Sequence, residues 1–359
     1  MSRVYNFSAG PAALPLEVLE IIRNDIPDWQ GTGMSVMEVS HRGKHFVELA
    51  ARAEANVREL LGISDDYSVL FPQGGATLQM AMAPLNLTGP DDTADYVVTG
   101  SWGKKAAGEA KKFCNARVIA DALDKNFTYI PDESSWDRSE NAAYLHYTPN
   151  ETIAGVEFHF VPGGDVPLVA DMSSTILSRP IDVSRFGVIY AGAQKNIGPA
   201  GITLVIVRNE LLEKARPKNA HLMTWKSYAE SDSMTNTPPT FAWYVADLVF
   251  QYLKNRGGLE AVGEVNRRKA SKLYAAIDAS GFYSNPVRKD CRSWMNVPFI
   301  LADAALDAKF LEESSAAGLT NLKGHRSVGG MRASIYNAVT EEAVDALIDF
   351  MADFEKHNG

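Results

Sequence analysis

Short, nearly continuous apolar runs alternate with longer segments of helical periodicity along most of the chain. A run that is apolar at every position is typical of a strand covered on both faces by helices. Seven such runs are rich in β-branched and aromatic residues: YSVLF (67–71), DYVVT (95–99), ARVIA (116–120), AYLHY (143–147), PLVAD (167–171), GVIYAGA (187–193) and GITLVIV (201–207). They predict an α/β fold with a mostly parallel seven-stranded sheet.

The segments between these runs have the period of amphipathic helices. Apolar residues recur at spacings of three and four from Phe46 to Leu61, and the stripe ends at Gly62, a residue type that terminates helices. Similar stripes predict helices over 76–85, 102–113 and 241–255.

The order of elements changes after the Gly257-Gly258 pair. The pattern there predicts a long helix, two strands and two further helices, over 259–279, 294–301, 304–317, 331–335 and from about 340 onward. Strands and helices mixed in this way indicate a smaller α+β domain.

Composition excludes several classes of function. Of 359 residues, 46% are hydrophobic and 22% charged, which is typical of a globular protein. The formal net charge of −9 opposes nonspecific binding to nucleic acids or anionic membranes, so neither is expected as a partner. An anionic ligand must therefore be held by locally placed cations.

The cysteines and the length of the apolar runs indicate which covalent or metal sites, and which compartment, to expect. Cys114 and Cys291 stand alone without a CxxC pattern, so neither a disulfide framework nor a metal centre is expected. No run reaches the roughly 18 apolar residues of a membrane span, and the first residues lack a signal-peptide pattern. We therefore expect a cytoplasmic protein.

Lys195 follows the apolar run 187–193 and is surrounded by glycine and alanine. At the carboxyl edge of an open α/β sheet it would lie where ligands gather. Burial disfavours the charged ammonium, and a neutral amine can attack a carbonyl to form a Schiff base. The alternative is an ordinary lysine at a strand end, pointing into solvent.

Asp171 ends the run PLVAD and would reach the same edge of the sheet. A carboxylate there needs a positive partner, and the protonated pyridine nitrogen of pyridoxal phosphate is one candidate. An Asp that caps the backbone of the serines that follow it is an equally good interpretation.

Three further strand ends supply groups suited to the same ligand. Gly74-Gly75 precedes a predicted helix whose first N–H groups can bind a phosphate, although the turn matches neither the Walker pattern nor GxGxxG. Ser101 can cap the next helix, and the Trp102 indole beside it can stack on an aromatic ring or simply pack. Thr152 offers a hydroxyl group after the run AYLHY.

These residues and several longer motifs resemble the phosphoserine aminotransferase family, which are class-V members of the fold-type I pyridoxal-phosphate enzymes. The resemblance extends along the whole chain through NFSAGPAALP (6–15), SVMEVSHRGK (35–44), DMSSTILSRPIDVSRFGVIYAGAQKNIGPAG (171–201), NTPPTFAWY (236–244) and KGHRSVGGMRASIYNA (323–338). It implies a large cofactor-binding domain, which we assign to residues 16–256, and a small domain formed by 1–15 and 257–359.

The resemblance implies that pyridoxal 5′-phosphate is the cofactor and that Lys195 forms its Schiff base. It further implies that Asp171 pairs with the pyridine nitrogen, that Trp102 stacks on the ring and that Thr152 contacts it.

The same resemblance implies which residues hold the cofactor phosphate. Ala76, Thr77 and Gln194 would bind it from one subunit. Asn236 and Thr237 would reach it from the other subunit of a homodimer.

Substrate binding is also assigned by resemblance. Arg332 would clamp the substrate α-carboxylate, for which a guanidinium group has a matching bidentate geometry. Some relatives have arginine where this chain has Thr77, so part of the distal charge must be neutralised differently here. The candidate donors to the distal anion are His41, Arg42, His325 and Arg326.

The reaction implied is reversible amino transfer from L-glutamate to 3-phosphohydroxypyruvate, which gives O-phospho-L-serine and 2-oxoglutarate in serine biosynthesis. Amination of the related phospho-hydroxy-oxobutanoate of vitamin B6 synthesis is a further expectation. The alternatives are a transaminase linked to glyoxylate or unphosphorylated serine, a cysteine desulfurase-type reaction, for which neither cysteine is well placed, and a non-catalytic effector-binding protein.

Overall fold

The computed structural model describes residues 3–359. Its strands, in chain order, are β1 (Tyr5–Asn6), β2 (Tyr67–Leu70), β3 (Thr93–Val98), β4 (Asn115–Asp121), β5 (Ala142–Tyr147), β6 (Asn150–Glu151), β7 (Val156–Glu157), β8 (Leu168–Asp171), β9 (Val188–Gly192), β10 (Thr203–Arg208), β11 (Tyr283–Ser284), β12 (Asn296–Leu301), β13 (Leu319–Thr320) and β14 (Met331–Ser334).

The α-helices lie mostly between these strands. They are α1 (Leu16–Asp25), α2 (Lys44–Leu61), α3 (Gly75–Leu87), α4 (Ser101–Ala110), α5 (Trp225–Ala229), α6 (Thr240–Asn255), α7 (Gly258–Ala279), α8 (Asp307–Ala316) and α9 (Glu341–Asn358).

The central sheet has seven strands in the order β2-β10-β9-β8-β5-β3-β4. Only β10 runs against its neighbours, since it pairs antiparallel with β2 and β9 while the other pairs are parallel. Alternate residues of each strand enter two apolar clusters, one under α3 and α4 and the other under α2 and α6. The predicted fold class, with its mostly parallel seven-stranded sheet, is therefore confirmed.

Local sequence rules explain most element boundaries. All seven predicted strands form within two residues of their expected bounds. Helix α2 ends at Gly62, whose φ of 63° lies in the left-handed region that glycine tolerates, and its N–H donates back to Arg58 and Glu59. Helix α1, the short helix α5 and the two-residue strands were not predicted. The two-residue strands and α5 are too short to produce a period.

A further apolar cluster surrounds the three-stranded antiparallel sheet of β11, β12 and β14. Helices α7, α8 and α9 contribute to this cluster, and Phe7 joins it from the start of the chain. The arrangement has the predicted α+β character. The domain boundaries at residues 15–16 and 256–257 stay predictions.

Within residues 3–359, no helix combines the length and apolarity needed to cross a membrane. Cys114 and Cys291 are both buried as free thiols.

Candidate active site

A cavity of about 600 Å³ opens at the edge of the sheet where β2, β3, β5, β8 and β9 end. This volume is in the usual range for a small-molecule or cofactor site. Nine of the predicted site residues line it: Ala76, Thr77, Trp102, Thr152, Asp171, Gln194, Lys195, His325 and Arg332.

Lys195 lies just after β9 and is only 8% exposed. Its Nζ donates to Thr152 Oγ1 at 2.6 Å. Burial lowers the pKa of the Lys195 ammonium to about 8, against the opposing influence of the Asp171 carboxylate. The neutral amine, the form that attacks an aldehyde, is therefore more populated near neutral pH in Lys195 than in an ordinary lysine, although the ammonium is still the major form.

A second buried lysine shows that burial alone does not mark a reactive amine. The Lys269 Nζ donates to the carbonyl oxygens of Ile335, Tyr336 and Val339 at 2.8–3.0 Å, and burial lowers its pKa to about 7. All three donor positions of Lys269 are thus used by the protein. Lys195 instead has one recorded side-chain partner and lines the cavity.

Asp171 ends β8 and is 4% exposed. Its Oδ1 accepts from the backbone N–H of Ser173 at 3.0 Å and from Ser173 Oγ at 2.6 Å. The predicted capping of the following serines is thus present, but it uses one oxygen. Burial raises the pKa of the Asp171 carboxyl group, with Ser173 and Lys195 opposing the rise. Within residues 3–359, no hydrogen bond is recorded to Oδ2, which leaves this oxygen for a positively charged ligand atom.

The start of α3 forms a concave backbone turn. Gly74 and Gly75 have φ values of 93° and 63°, in the region where residues with side chains are strained. A Cβ atom on Gly192 would lie 3.3 Å from the backbone nitrogen of Ala76, so glycine keeps this space open. Exposed N–H groups at a helix N-terminus suit a phosphate.

Trp102 occupies the first turn of α4, and its ring centroid lies 5.9 Å from Lys195 Nζ. The predicted capping of this helix by Ser101 is wrong. Ser101 is already the first helical residue, and the N-cap, Gly100, has no side chain to accept a hydrogen bond. The Glu151 carboxylate takes that place, because it accepts from the N–H groups of Trp102 and Gly103.

Arg332 on β14 and His325 in the preceding loop reach the cavity from the distant C-terminal part of the chain. Arg332 Nη1 donates to the carbonyl oxygen of Thr152 at 3.3 Å, and burial lowers the pKa of the guanidinium group. Two cationic or polar groups thus face the same space as Lys195.

Five predicted site residues do not line this cavity: His41, Arg42, Asn236, Thr237 and Arg326. The loop that carries Asn236 and Thr237 lies beside the α3 turn, where Gln73 Nε2 donates to the Thr237 carbonyl at 3.0 Å. Within one described chain, these five side chains do not border the cavity, and their roles in the site stay predictions.

The groups that do meet fit pyridoxal phosphate. A lysine amine of lowered pKa, an indole face, a buried carboxylate with a free oxygen and a helix N-terminus border one cavity. The Trp102 Nε1 is buried without a recorded partner, as is the hydroxyl of Thr148, which also lines the cavity.

Residues 4–347 match the family model described as aminotransferase class-V. The chain belongs to the class-V aminotransferase family. The predicted resemblance is therefore confirmed at the level of the family.

Individual relatives of this class-V chain are similar over their full lengths. A phosphoserine aminotransferase of Hahella chejuensis is 59% identical over 357 residues, which cover 99% of both chains. A solved phosphoserine aminotransferase from Bacillus circulans subsp. alkalophilus has a TM-score of 0.97 at 48% identity and 99% coverage of both chains. The pyridoxal-phosphate-bound phosphoserine aminotransferase of Trichomonas vaginalis has a TM-score of 0.94 at 42% identity, covering 98% of this chain and 100% of its own.

Several residues of this class-V site were missed from the sequence. Lys105 is one of them, and its Nζ donates to Thr77 Oγ1 at 3.2 Å. Asn150 Nδ2 donates to Ser174 Oγ at 2.8 Å, and Glu151 holds α4. The adjacency of Asn150 and Glu151 to Thr152 was the only signal available, and it did not indicate which elements these side chains would reach.

Proposed function

We propose that this enzyme transfers the amino group of L-glutamate to 3-phosphohydroxypyruvate, giving O-phospho-L-serine and 2-oxoglutarate in serine biosynthesis. The observation that carries the proposal is the buried Lys195 amine, 2.6 Å from Thr152 Oγ1, in one cavity with Asp171. The names of the full-length relatives support the substrate pair. Use of phospho-hydroxy-oxobutanoate in vitamin B6 synthesis stays a prediction.

The cofactor of this transaminase is pyridoxal 5′-phosphate. When bound, it supplies an electron-withdrawing ring that stabilises negative charge at the substrate Cα. Lys195 would hold it covalently, Trp102 would cover its ring and Asp171 would pair with its ring nitrogen. Thr152 would contact the ring, while Ala76, Thr77 and Gln194 would bind the phosphate.

Lys195 also serves as the proton carrier in this proposal. Lys195 Nζ would take the proton from the Cα of the amino donor in the first half-reaction and would deliver a proton to the Cα of the keto acid in the second. The amino group and one proton would stay with the bound cofactor from the first half-reaction to the second. A pKa of about 8 suits a group that must both accept and donate near neutral pH. The Asp171 carboxylate would keep a negative charge next to the cofactor's ring nitrogen while Lys195 moves the proton.

Arg332 is proposed to bind the α-carboxylate of both substrates. It is half-buried beside Thr152, so its guanidinium group is held close to the amine that acts on the neighbouring Cα. His325 lines the cavity and is the first donor for the distal anion. Arg326, His41 and Arg42 are proposed as further donors that need a rearranged loop or a second subunit.

The first test follows the cofactor's visible absorbance. L-Glutamate alone is expected to remove the absorbance band of the lysine-bound cofactor, and 3-phosphohydroxypyruvate is expected to restore it. Borohydride reduction before glutamate should attach the cofactor to Lys195, which peptide mass spectrometry would identify. A colourless protein with no trapped lysine, or recovery of the band with glyoxylate but not with the phosphorylated keto acid, would contradict the proposal.

We further propose a cytoplasmic homodimer in which Asn236 and Thr237 enter the partner's cavity. The free thiols of Cys114 and Cys291 favour a reducing compartment. The proposal of a dimer is supported by the position of Asn236 and Thr237 outside their own chain's cavity, on a loop next to its edge.

Mixing two inactive variants tests the shared site. One chain carries Lys195→Ala, and the other carries Asn236→Ala with Thr237→Ala. If the loop acts across a twofold interface, an equal mixture reassembled from monomers should recover about a quarter of wild-type activity, because half the dimers have one intact site. Recovery close to zero, with mixed dimers verified by mass, would place the loop in its own chain's site. Near-normal activity of the Asn236→Ala, Thr237→Ala variant by itself would place the loop outside catalysis.

A further inference from the structure

Glu151 is a fully buried carboxylate next to the cavity-lining residues Asn150 and Thr152, and the proposed reaction does not use it. Its Oε2 accepts from the N–H of Trp102 at 3.0 Å, and its Oε1 accepts from the N–H of Gly103 at 2.7 Å. These N–H groups belong to the first turn of α4, where the helix itself provides no acceptor. One side chain from β6 therefore fixes the start of a helix that carries a cavity-lining indole.

The chain leaves room for this carboxylate with two glycines. A Cβ atom on Gly100 would overlap the Glu151 carboxyl group, although the extended backbone there suits any residue. A Cβ atom on Gly103 would lie 3.3 Å from Glu151 Oε1. The segment from Gly100 to Gly103 thus wraps closely around the Glu151 carboxylate.

Capping alone does not explain why a buried glutamate is used. A Ser, Thr or Asp at the N-cap would satisfy the same N–H groups from within the chain and near solvent. Burial instead raises the pKa of Glu151 to about 7, against the stabilising effect of the two N–H groups, so the ionised form is held at a cost in free energy.

The residues on either side of Glu151 connect it to Lys195, Arg332 and the end of β8. The next residue, Thr152, accepts the hydrogen bond from Lys195 Nζ, and its carbonyl accepts from Arg332. The side chain of the preceding residue, Asn150, donates a hydrogen bond to Ser174 Oγ, just beyond the end of β8. The backbone that fixes the lysine therefore also carries the carboxylate that fixes Trp102.

We propose that Glu151 is a positioning residue that sets the Trp102 indole at a fixed separation from Thr152 and Lys195, so that the cofactor ring fits between them. This inference rests on the proposed function, because it assigns Trp102 to the cofactor ring. Glu151 itself touches neither the cofactor nor the substrate in this assignment.

A double-mutant cycle on cofactor affinity tests the inference. Glu151→Gln keeps the shape but turns an amide N–H₂ toward a backbone N–H, so one hydrogen bond is lost. In enzyme with Trp102, we expect pyridoxal phosphate to bind about tenfold more weakly to the apoenzyme, the effect of losing a hydrogen bond to a charged group. In the Trp102→Ala background, the same change should weaken binding by less than about twofold. Glu151 acts on the cofactor through the indole in this proposal, so the two substitutions should not be additive.

Gly103→Ala provides a milder variant that keeps the carboxylate. Alanine favours the helix, and the new Cβ would lie 3.3 Å from Glu151 Oε1 and 3.3 Å from the Val97 carbonyl oxygen. The substitution therefore presses on the carboxylate and on β3, and the Trp102→Ala background separates the effect that acts through the indole from the rest. We expect weaker cofactor binding in the presence of Trp102 and no further loss in Trp102→Ala. The visible circular dichroism of the bound cofactor should also shrink in Glu151→Gln and Gly103→Ala, since it depends on how the indole faces the ring.

Equal losses of affinity in both Trp102 backgrounds would overturn the inference, as would unchanged affinity and dichroism in Glu151→Gln and Gly103→Ala. If Glu151→Gln does not fold, Gly103→Ala decides between the same outcomes. A wild-type protein that binds no pyridoxal phosphate would instead refute the proposed function itself, so the two failures are distinguishable.

Discussion

Replacing Lys195 by alanine is expected to lower turnover by roughly 10⁴-fold, the upper end of what a positioned proton-transfer group contributes. The methyl group cannot form the Schiff base or move the Cα proton, and no other lysine lines the cavity within the described residues. The cofactor should still bind noncovalently through the other contacts. Single-turnover absorbance with L-glutamate and equilibrium dialysis with pyridoxal phosphate measure the two effects separately.

Lys269→Ala is the matched control for loss of a buried lysine. Lys269 supports three carbonyl groups of the C-terminal part of the chain and does not line the cavity, so its removal should lower the thermal midpoint and spare borohydride trapping. Turnover in Lys195→Ala within about tenfold of wild type would refute the role of Lys195. Trapping on a different lysine would refute it independently.

Replacing Asp171 by asparagine is expected to reduce the single-turnover rate a few hundred- to a few thousand-fold, which is the rate equivalent of about 3–5 kcal/mol for removing one member of a buried charge pair. The amide can still accept from Ser173 but has no charge to hold a protonated ring nitrogen. Stopped-flow absorbance after addition of L-glutamate measures the rate.

The same substitution, Asp171→Asn, is not expected to destabilise the apoenzyme, although it slows the reaction. Burial raises the pKa of Asp171, so the ionised carboxylate opposes folding until a positive ligand arrives. We therefore expect the thermal midpoint of the apoenzyme to stay level or rise, while the holoenzyme loses part of its stabilisation by the cofactor. A fall in the apoenzyme midpoint together with a normal rate would contradict the assignment.

Asp247→Asn serves as the comparison carboxylate. Asp247 is also fully buried, but its oxygens accept from Arg52, Asn56 and Gln251, and none of these residues lines the cavity. Its replacement should lower stability and leave the rate of the glutamate half-reaction unchanged. The two variants together separate the loss of a structural charge pair from the loss of one that acts on the cofactor.

The central sheet and the lysine position could be predicted because they depend on local pattern. Each strand is a run of apolar residues long enough to show its period, and Lys195 follows such a run directly. The carboxyl ends of parallel strands meet at one edge, so Asp171, Trp102 and Thr152 could be placed together without knowing the full fold. The cavity lining agrees with that expectation.

Contacts between distant segments were not predictable in the same way. Arg332 meets Thr152 across 180 residues of sequence, and Glu151 reaches the backbone of Trp102 from a strand two residues long. The wrong assignment of Ser101 as a cap has the same origin, since the actual acceptor lies on another element.

The sequence by itself determined the seven strands of the central sheet and most of the longer helices, the edge of the sheet that would carry chemistry and the family to which the chain is similar. These features depend on hydrophobic period and on motifs, which involve only a few neighbouring residues. Only the tertiary structure decided how deeply Lys195 is buried, which oxygen of Asp171 stays free and which carboxylate holds α4. Those properties depend on the low-dielectric surroundings and hydrogen-bond partners that distant segments provide once they pack together.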